Sequence, residues 1–497
     1  MRPAGRVSFT RAALLLGAVA LVLWLLTAEL AAVSGGGSGA DPAFRAAVGG
    51  RRRTHAEAAV RSPDAWRTRE WRQAVDHNAA ILRRHLADGM LAASSVAVCL
   101  GGDGVQEAMA LRELGVVGAV AVAKEGSPPL AVAGTDRRLP FPDDSVDFVF
   151  AGRALDESKH LADIASEAAR VVKPDGHGHL VVLTSGASDA YSLRSLQALL
   201  PSLRLLRSRE INGHDGSTLR ELVFRKHADI SATSRPSSNG NNSVGDCPNR
   251  DHKLEIIGIA EPLIQEEPAK PWITLKRNIK YLPALADIGF KRRYVYIDVG
   301  ARGYGSSIGG WFRKQYPKQN HTFEVFAVEA DPAFHGEYAT KKGVTLLPYA
   351  AWVRNETLTF EINDGPGKNG ETRTKRGNGR GMGRIRHAAG AAKGVSSGEV
   401  RRVPAFDLAA WLKRTVSEQD YVVMKMDVEG TEFDLIPRMI DTGAICLVDE
   451  LFLECHYNRW QRCCPGERSP KYSNTYGQCL ELFTSLRNSG VLVHQWW

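Results

Sequence analysis

The sequence has no short internal repeat, so a stacked-repeat architecture is set aside. It holds no Asp-x-Asp element, which many sugar-nucleotide enzymes use with a metal. A Golgi glycosyltransferase therefore ranks last among its readings. No two cysteines are spaced by two residues, and the adjacent pair Cys463 and Cys464 does not fit a zinc knuckle. Basic residues do not alternate with aromatics, and a net charge of +9 over 497 residues is modest, so no nucleic-acid partner is expected. What remains is a globular composition, 43% hydrophobic and 24% charged. The length exceeds one ordinary core and predicts two domains plus tails.

The N-terminus reads as a targeting segment. Arg2, Arg6 and Arg11 precede an apolar or small run from Ala12 to Ala28, closed by Glu29. At 1.5 Å per residue the run spans about 26 Å, enough for a thin bilayer. The leading arginines keep the tip cytosolic and send the rest to the lumen. A cleaved signal peptide is the rival, because Ala28, Ala31 and Ala32 offer small residues near a cut. Three Asn-x-Ser/Thr triplets, at Asn241, Asn320 and Asn355, agree with a lumenal chain. The expectation is a single-pass type II membrane protein of the Golgi, held by one N-terminal helix. The tip and signal anchor take residues 1–33, and a flexible, Gly/Ser-rich stem takes 34–65.

Residues 66–227 read as a first α/β domain. A helix at 66–86 comes first. Val96–Leu100 is an apolar strand that runs into Gly101-Gly102-Asp103-Gly104. Strands and helices then alternate, as in a parallel, doubly wound sheet. Leu139-Pro140-Phe141 up to Val149, and the turn Lys173-Pro174-Asp175-Gly176, resemble class I S-adenosylmethionine-dependent methyltransferases. That family has an acid after its second strand; here Lys124 and Glu125 stand near that place, and Asp136 could face an adenine. This half is expected to be a degenerate methyltransferase-like domain. Residues 228–252, poor in large apolar side chains, read as a linker.

Residues 253–497 carry the chemistry. Val295–Val299 is an apolar, β-branched strand that breaks into Gly300-Ala301-Arg302-Gly303-Tyr304-Gly305. Strand, glycine loop and helix in this order suit nucleotide-type ligands. Val325–Val328 follows about one β–α–β unit later and ends in Glu329 and Asp331, where an acid can accept ribose hydroxyls. Val344–Trp352 reads as a third strand, with Ala351 near its end beside an adenine. Tyr421–Met426 is a buried strand ending in a charged cluster of Lys425, Asp427, Glu429 and Glu432. Such a cluster is costly to bury without a role.

These stretches resemble the FkbM-type methyltransferase domain. The likeness rests on Asp298 to Ala301, Val328 to Pro332, Lys425 to Glu432, Phe406-Asp407-Leu408, and Glu454-Cys455-His456. With the anchor and the worn first half, the whole resembles a plant family of methyltransferase-like membrane proteins. The resemblance implies two tandem doubly wound, Rossmann-like methyltransferase-type α/β domains after a transmembrane helix. It implies S-adenosyl-L-methionine as cofactor, held by Asp298, Gly300, Ala301, Gly303, Glu329, Asp331 and Ala351. Asp427, Glu429 and His456 are the candidate bases for a hydroxyl nucleophile. Asp427 and Glu429 holding a divalent cation is a lesser reading, and no metal is expected. A non-catalytic scaffold that kept two methyltransferase folds is the alternative.

Residues 364–402 read as a long basic loop, with Lys368, Arg373, Lys375, Arg376, Arg380, Arg384, Arg386, Lys393, Arg401 and Arg402 against Glu371 and Glu399. It is either a solvated loop or a cradle for an anionic substrate such as an acidic glycan. No protein partner is indicated. Cys99 and Cys446 read as buried thiols on strands. Cys455, Cys463, Cys464 and Cys479 read as disulfide formers, with their pairing open.

Overall fold

The computed structural model describes residues 68–227, 247, 250–268, 278–318, 321–364, 380–386, 399–461 and 465–496. The expected anchor and stem, the triplet at Asn241, Cys463 and Cys464 lie outside the described residues. Among the described residues no helix is long and apolar enough to cross a membrane.

The first sheet has seven strands. They are β1 (Ala97–Cys99), β2 (Ala119–Ala123), β3 (Ala131–Ala133), β4 (Phe148–Phe150), β5 (His179–Thr184), β6 (Leu203–Asn212) and β7 (Thr218–Lys226). Their order is β3-β2-β1-β4-β5-β7-β6. β1 to β5 run parallel, and β7 is antiparallel to both its neighbours. β1, β4 and β5 are buried throughout, as helices cover both faces of a parallel sheet. The helix Arg69–Ala87 packs Trp71, Val75 and Leu82 into that core. Thr68 caps its first turn by accepting the Trp71 N–H at 3.2 Å.

The second sheet has six strands. They are β8 (Tyr294–Val299), β9 (Phe323–Val328), β10 (Val344–Leu347), β15 (Tyr421–Met426), β16 (Glu450–Leu453) and β17 (Leu492–Gln495). Their order is β10-β9-β8-β15-β16-β17, parallel throughout. Four more strands depart from the expected third strand and loop. The run at 344–352 is two strands in two sheets, β10 and β11 (Ala350–Trp352). Pro348 has no N–H to continue a ladder, and the break falls there. β11 joins β14 (Glu399–Asp407), β12 (Glu356–Asp364) and β13 (Arg380–Ile385) in a third sheet, ordered β11-β14-β12-β13.

The ends of the expected basic loop therefore lie in a folded sheet. Its arginines are partly spent there. Arg384 and Arg386 both pair with buried Glu361, at 3.4 and 2.9 Å, and Arg401 pairs with Glu399. Lys368, Arg373, Lys375, Arg376 and Lys393 lie outside the described residues.

Two disulfides tie the second half: Cys247 to Cys446 and Cys455 to Cys479. Cys446 is thus not a free thiol; the chain before the helix Arg250–Ile259 folds back to meet it. Cys99 is free and buried.

The two large sheets share a polar seam. Asp449, just before β16, accepts from Tyr191 at 3.0 Å and from the Val422 N–H at 2.9 Å. Lys253 and Lys291 lie 3.2 and 3.6 Å from it. Burial opposes the charge on Asp449, but the two ammonium groups outweigh it and hold its pKa below the usual range. Tyr191 belongs to the helix Ala190–Ala198 of the first half. The first half thus docks where β15 and β16 begin, and the ends of those strands stay open.

Asp449→Ala leaves two buried ammonium groups without their anion. We expect a loss of about 3–5 kcal/mol in urea unfolding of the whole chain. Replacing Lys253 and Lys291 by Met in the same variant should recover part of it.

Candidate functional site

The open ends of β8, β9 and β15 surround a cavity of about 1030 Å³. This is the edge at which parallel α/β sheets bind ligands. β8 leads into the glycine loop, then into a π-helical turn at Ile308–Phe312, a geometry frequent at functional sites. Gly300 has φ +82°, and a Cβ there would sit 1.9 Å from the Asp427 carbonyl oxygen. Only glycine lets the first loop pass that close to the end of β15. The approach is fixed by the Asp427 N–H donating to the Val299 carbonyl at 2.9 Å.

Glu329 ends β9 and is buried. Its Oε2 accepts the Arg302 N–H and its Oε1 the Asp331 N–H, both at 2.6 Å. These two amides aim the carboxylate beside the glycine loop. Burial pushes its pKa up to about 7, against those two hydrogen bonds. Asp331 caps the helix Pro332–Tyr338 by accepting the Ala333 N–H at 3.0 Å, so one of its oxygens has a structural duty.

The far end of the cavity is charged. Lys425 Nζ stands 3.5 Å from Asp427 Oδ2 and 3.8 Å from Asp298 Oδ1. Burial disfavours the ammonium, but the Asp427 and Asp298 carboxylates win and raise its pKa. Burial also opposes the charge on Asp427, yet Lys425 and His456 keep its pKa below the usual range. Glu454 follows β16 and lines the same end. Burial and the Asp427 charge push its pKa up to about 7. His456 Nδ1 lies 3.2 Å from Glu432 Oε1 and Nε2 lies 3.6 Å from Asp427 Oδ1. Burial lowers the His456 pKa, but the carboxylates, Glu432 first, raise it to about 9.

The structure gathers Gly300, Gly303, Glu329, Asp331, Ala351, Asp427 and Glu429 around this cavity. It does not place Asp298 or Ala301 on its wall. Both are fully buried beneath the loop. Asp298 accepts from Ser307 and faces Lys425, so it holds the loop rather than a ligand. His456 stands behind Asp427, buried. Glu429 lines the cavity, but Lys471, at 2.7 Å, and Tyr472 bind its Oε2, which makes it a poor free base. Its φ of 52° and that of Arg302 are left-handed values rare outside glycine.

Sequence reasoning gave Glu454 no role of its own. Its signal was an acid directly after a buried strand. Phe360, Gly383 and Ile385 of the third sheet wall the cavity, as do Trp311 and Trp496. The alternation along β12 carries a weak trace of Phe360 alone. Lys471 and Tyr472 left none, because they come from a loop.

The first half presents a different picture at the same strand ends. The Glu107 carboxyl lies against Gly152, at the end of β4; a Cβ on that glycine would be 2.2 Å from its Oε1. Glu107 is buried, and burial raises its pKa well above normal, helped by Asp103, Glu157 and Asp136. Asp136 accepts the Gly101 N–H rather than facing open space, and Glu125 is exposed. The chain's own carboxyl groups thus occupy the crevice beside this glycine loop.

Comparison with known proteins adds two family matches. A methyltransferase domain model matches residues 115–180, within the first sheet. A model described as a domain of unknown function, DUF7870, matches residues 256–359 and 388–497, most of the second half. Among curated proteins nothing matches.

Solved structures with likeness include the 1,6-didemethyltoxoflavin-N1-methyltransferase of Burkholderia thailandensis with S-adenosylhomocysteine. It is 18% identical, over 39% of this chain and 93% of that one, with a TM-score of 0.27. An S-adenosylmethionine-dependent methyltransferase of Aquifex aeolicus is 16% identical, over 28% and 87%, at 0.23. One from Methanosarcina mazei is 14% identical, over 29% and 98%, at 0.24. Likenesses of that size carry none of the steps below. The strand order of the first sheet and the matched domain give the first half an α/β, Rossmann-like methyltransferase class, and S-adenosylmethionine is the cofactor that the matched domain implies.

Two outcomes are expected. S-adenosylhomocysteine should bind the whole chain with a stoichiometry of one in calorimetry, because Glu107 lies against Gly152 beside the first glycine loop while the second crevice is open. Gly300→Ala should abolish that binding and lower stability by at least about 1–3 kcal/mol, through strain at a left-handed position and a clash with the Asp427 carbonyl, read by thermal unfolding.

Proposed function

We propose that the second half binds S-adenosylmethionine and transfers its methyl group to a hydroxyl oxygen, as an FkbM-type O-methyltransferase. One observation carries the reading: a buried Glu329 carboxylate, aimed by two backbone amides, stands beside a glycine loop at the open end of a parallel sheet. Glu329 has accepting capacity left for both ribose hydroxyls. Gly300 and Gly303 give the backbone room at the methionine end.

The bound sulfonium supplies the methyl group. The protein positions the two reactants in line and excludes water. The acceptor hydroxyl lies toward Asp427 and Glu454, and its proton passes to that carboxylate pair as the O–CH₃ bond forms and the S–CH₃ bond breaks. Tyr349, Phe360 and Ile385 close the cavity from the other side.

In this reading the protein is a type II membrane protein with both α/β halves in the Golgi lumen, and its acceptor is a glycan or another hydroxylated compound. Two disulfides suit an oxidising compartment. The domain bounds at 66–227 and 253–497 belong to the same proposal.

A second reading has one observation in its favour. The all-parallel order of the second sheet is that of dinucleotide-binding folds. Calorimetry with S-adenosylhomocysteine against NAD and NADP separates the two. Binding of the thioether alone is expected, and binding of a dinucleotide alone would overturn the proposal.

Glu329→Gln should weaken S-adenosylhomocysteine binding about tenfold to a hundredfold, since hydrogen bonds to a charged group are worth about 1.5–3 kcal/mol. The pH dependence has a definite sign. The free carboxyl titrates at about 7. Its ionised form is the better acceptor for both hydroxyls, so wild-type affinity should rise between pH 6 and pH 8, and the variant should show a smaller rise over the same range.

A further inference from the structure

We propose that Asp427, Glu429 and His456 form a site for one divalent cation of the manganese kind, at the acceptor end of the cavity. One ligand atom from each of the three lies within 4.8 Å of the others. Two carboxylates and one imidazole are a donor set that suits such an ion.

Three further observations point the same way. His456 is about 96% buried, and its Nε2 faces Asp427 Oδ1 across 3.6 Å, too far for a hydrogen bond. Asp427 Oδ1 is itself buried without a hydrogen-bond partner. Two polar atoms thus face one gap, while the other oxygen of Asp427 is spent on Lys425. Behind the imidazole, Glu432 is fully buried and fixed by the N–H groups of His456 and Gly430, at 2.6 and 2.9 Å. Its Oε1 lies 3.2 Å from His456 Nδ1, the carboxylate–imidazole support that metal-ligating histidines commonly have. Finally, the four carboxylates of Asp298, Asp427, Glu429 and Glu432 outnumber the cationic groups of Lys425, Lys471 and His456 in this corner, and an ion that displaced the His456 proton would keep that balance.

The ion deepens the proposed methyl transfer and rests on that reading for its role. It would take the acceptor oxygen as a further ligand and make its proton easier to remove. The hydroxyl proton leaves to Glu454, the oxygen gains the methyl group, and the sulfonium becomes a neutral thioether. Asp427 and His456 hold the ion, and Glu432 is a positioning residue.

The test titrates Mn²⁺ into the full chain and follows free Mn²⁺ by paramagnetic resonance, with S-adenosylhomocysteine calorimetry on the same samples. We expect one ion per chain. Asp427→Asn and His456→Gln should each lose it while still binding S-adenosylhomocysteine, and Glu432→Gln should weaken it about tenfold. Mn²⁺ should also raise the Tm of the wild type but not of the first two variants. A wild type that binds S-adenosylhomocysteine but no Mn²⁺ overturns the ion site, and so does equal Mn²⁺ binding by both ligand variants. Mn²⁺ held by these side chains in a chain that ignores S-adenosylhomocysteine would uphold the ion site and overturn the methyl-transfer reading.

Discussion

The cavity depends on one buried ammonium group. Lys425 stands opposite Asp298 in the register of β15 on β8, and it reaches both Asp298 and Asp427. Burial opposes the charge on both carboxylates; Lys425 lowers both, enough to hold Asp427 below its usual range while Asp298 stays above it. With the ammonium between them, the ends of two neighbouring strands are held as one charged unit. Asp298 then fixes Ser307 and so the glycine loop. Asp427 fixes the acceptor end. The glycine loop and the charged end of the cavity are thus tied together by a single side chain that rises between them.

The division of labour between the halves follows from strand direction. A parallel sheet has one edge for ligands and one edge without that use. The first half docks through Tyr191 on the second kind, against Asp449 and the start of β15. Its own ligand edge is filled by Glu107. The residues that match a methyltransferase domain, 115–180, lie in this half, while the large cavity lies in the other.

Most of the second sheet was legible because its strands are covered on both faces. β8, β15 and β16 are buried at every position, and such strands show as apolar runs, interrupted here only by Asp298, Lys425 and Glu450. Glu329 and Asp427 were legible for the same reason, as charges directly after such runs. Three things were not. Pro348 splits what looks like one strand, and the halves go to different sheets. Glu361, the partner of Arg384 and Arg386, sits outside the stretch that looked like a bare basic loop. Cys247 meets Cys446 across 199 residues, a pairing that only the fold can supply. Each depends on contacts far apart in the chain, and local periodicity carries no record of them.

The strand order of the second sheet and its site pull in different directions, and charge decides between them. A dinucleotide brings a pyrophosphate, whose two negative charges normally rest on the N-terminus of a full helix. Here the loop is followed by a five-residue π-helical turn and a helix of only three residues, Arg313–Gln315. A Cβ on Gly303 would lie 2.8 Å from Glu337 Oε2, so an acid sits directly against the loop. Asp427, Glu429 and Glu454 line the far end. The acids on this wall outnumber Arg302, Lys314 and Lys425 and disfavour a pyrophosphate. S-adenosylmethionine carries a sulfonium and an ammonium against one carboxylate, so in the proposed reading its net positive charge suits the same wall.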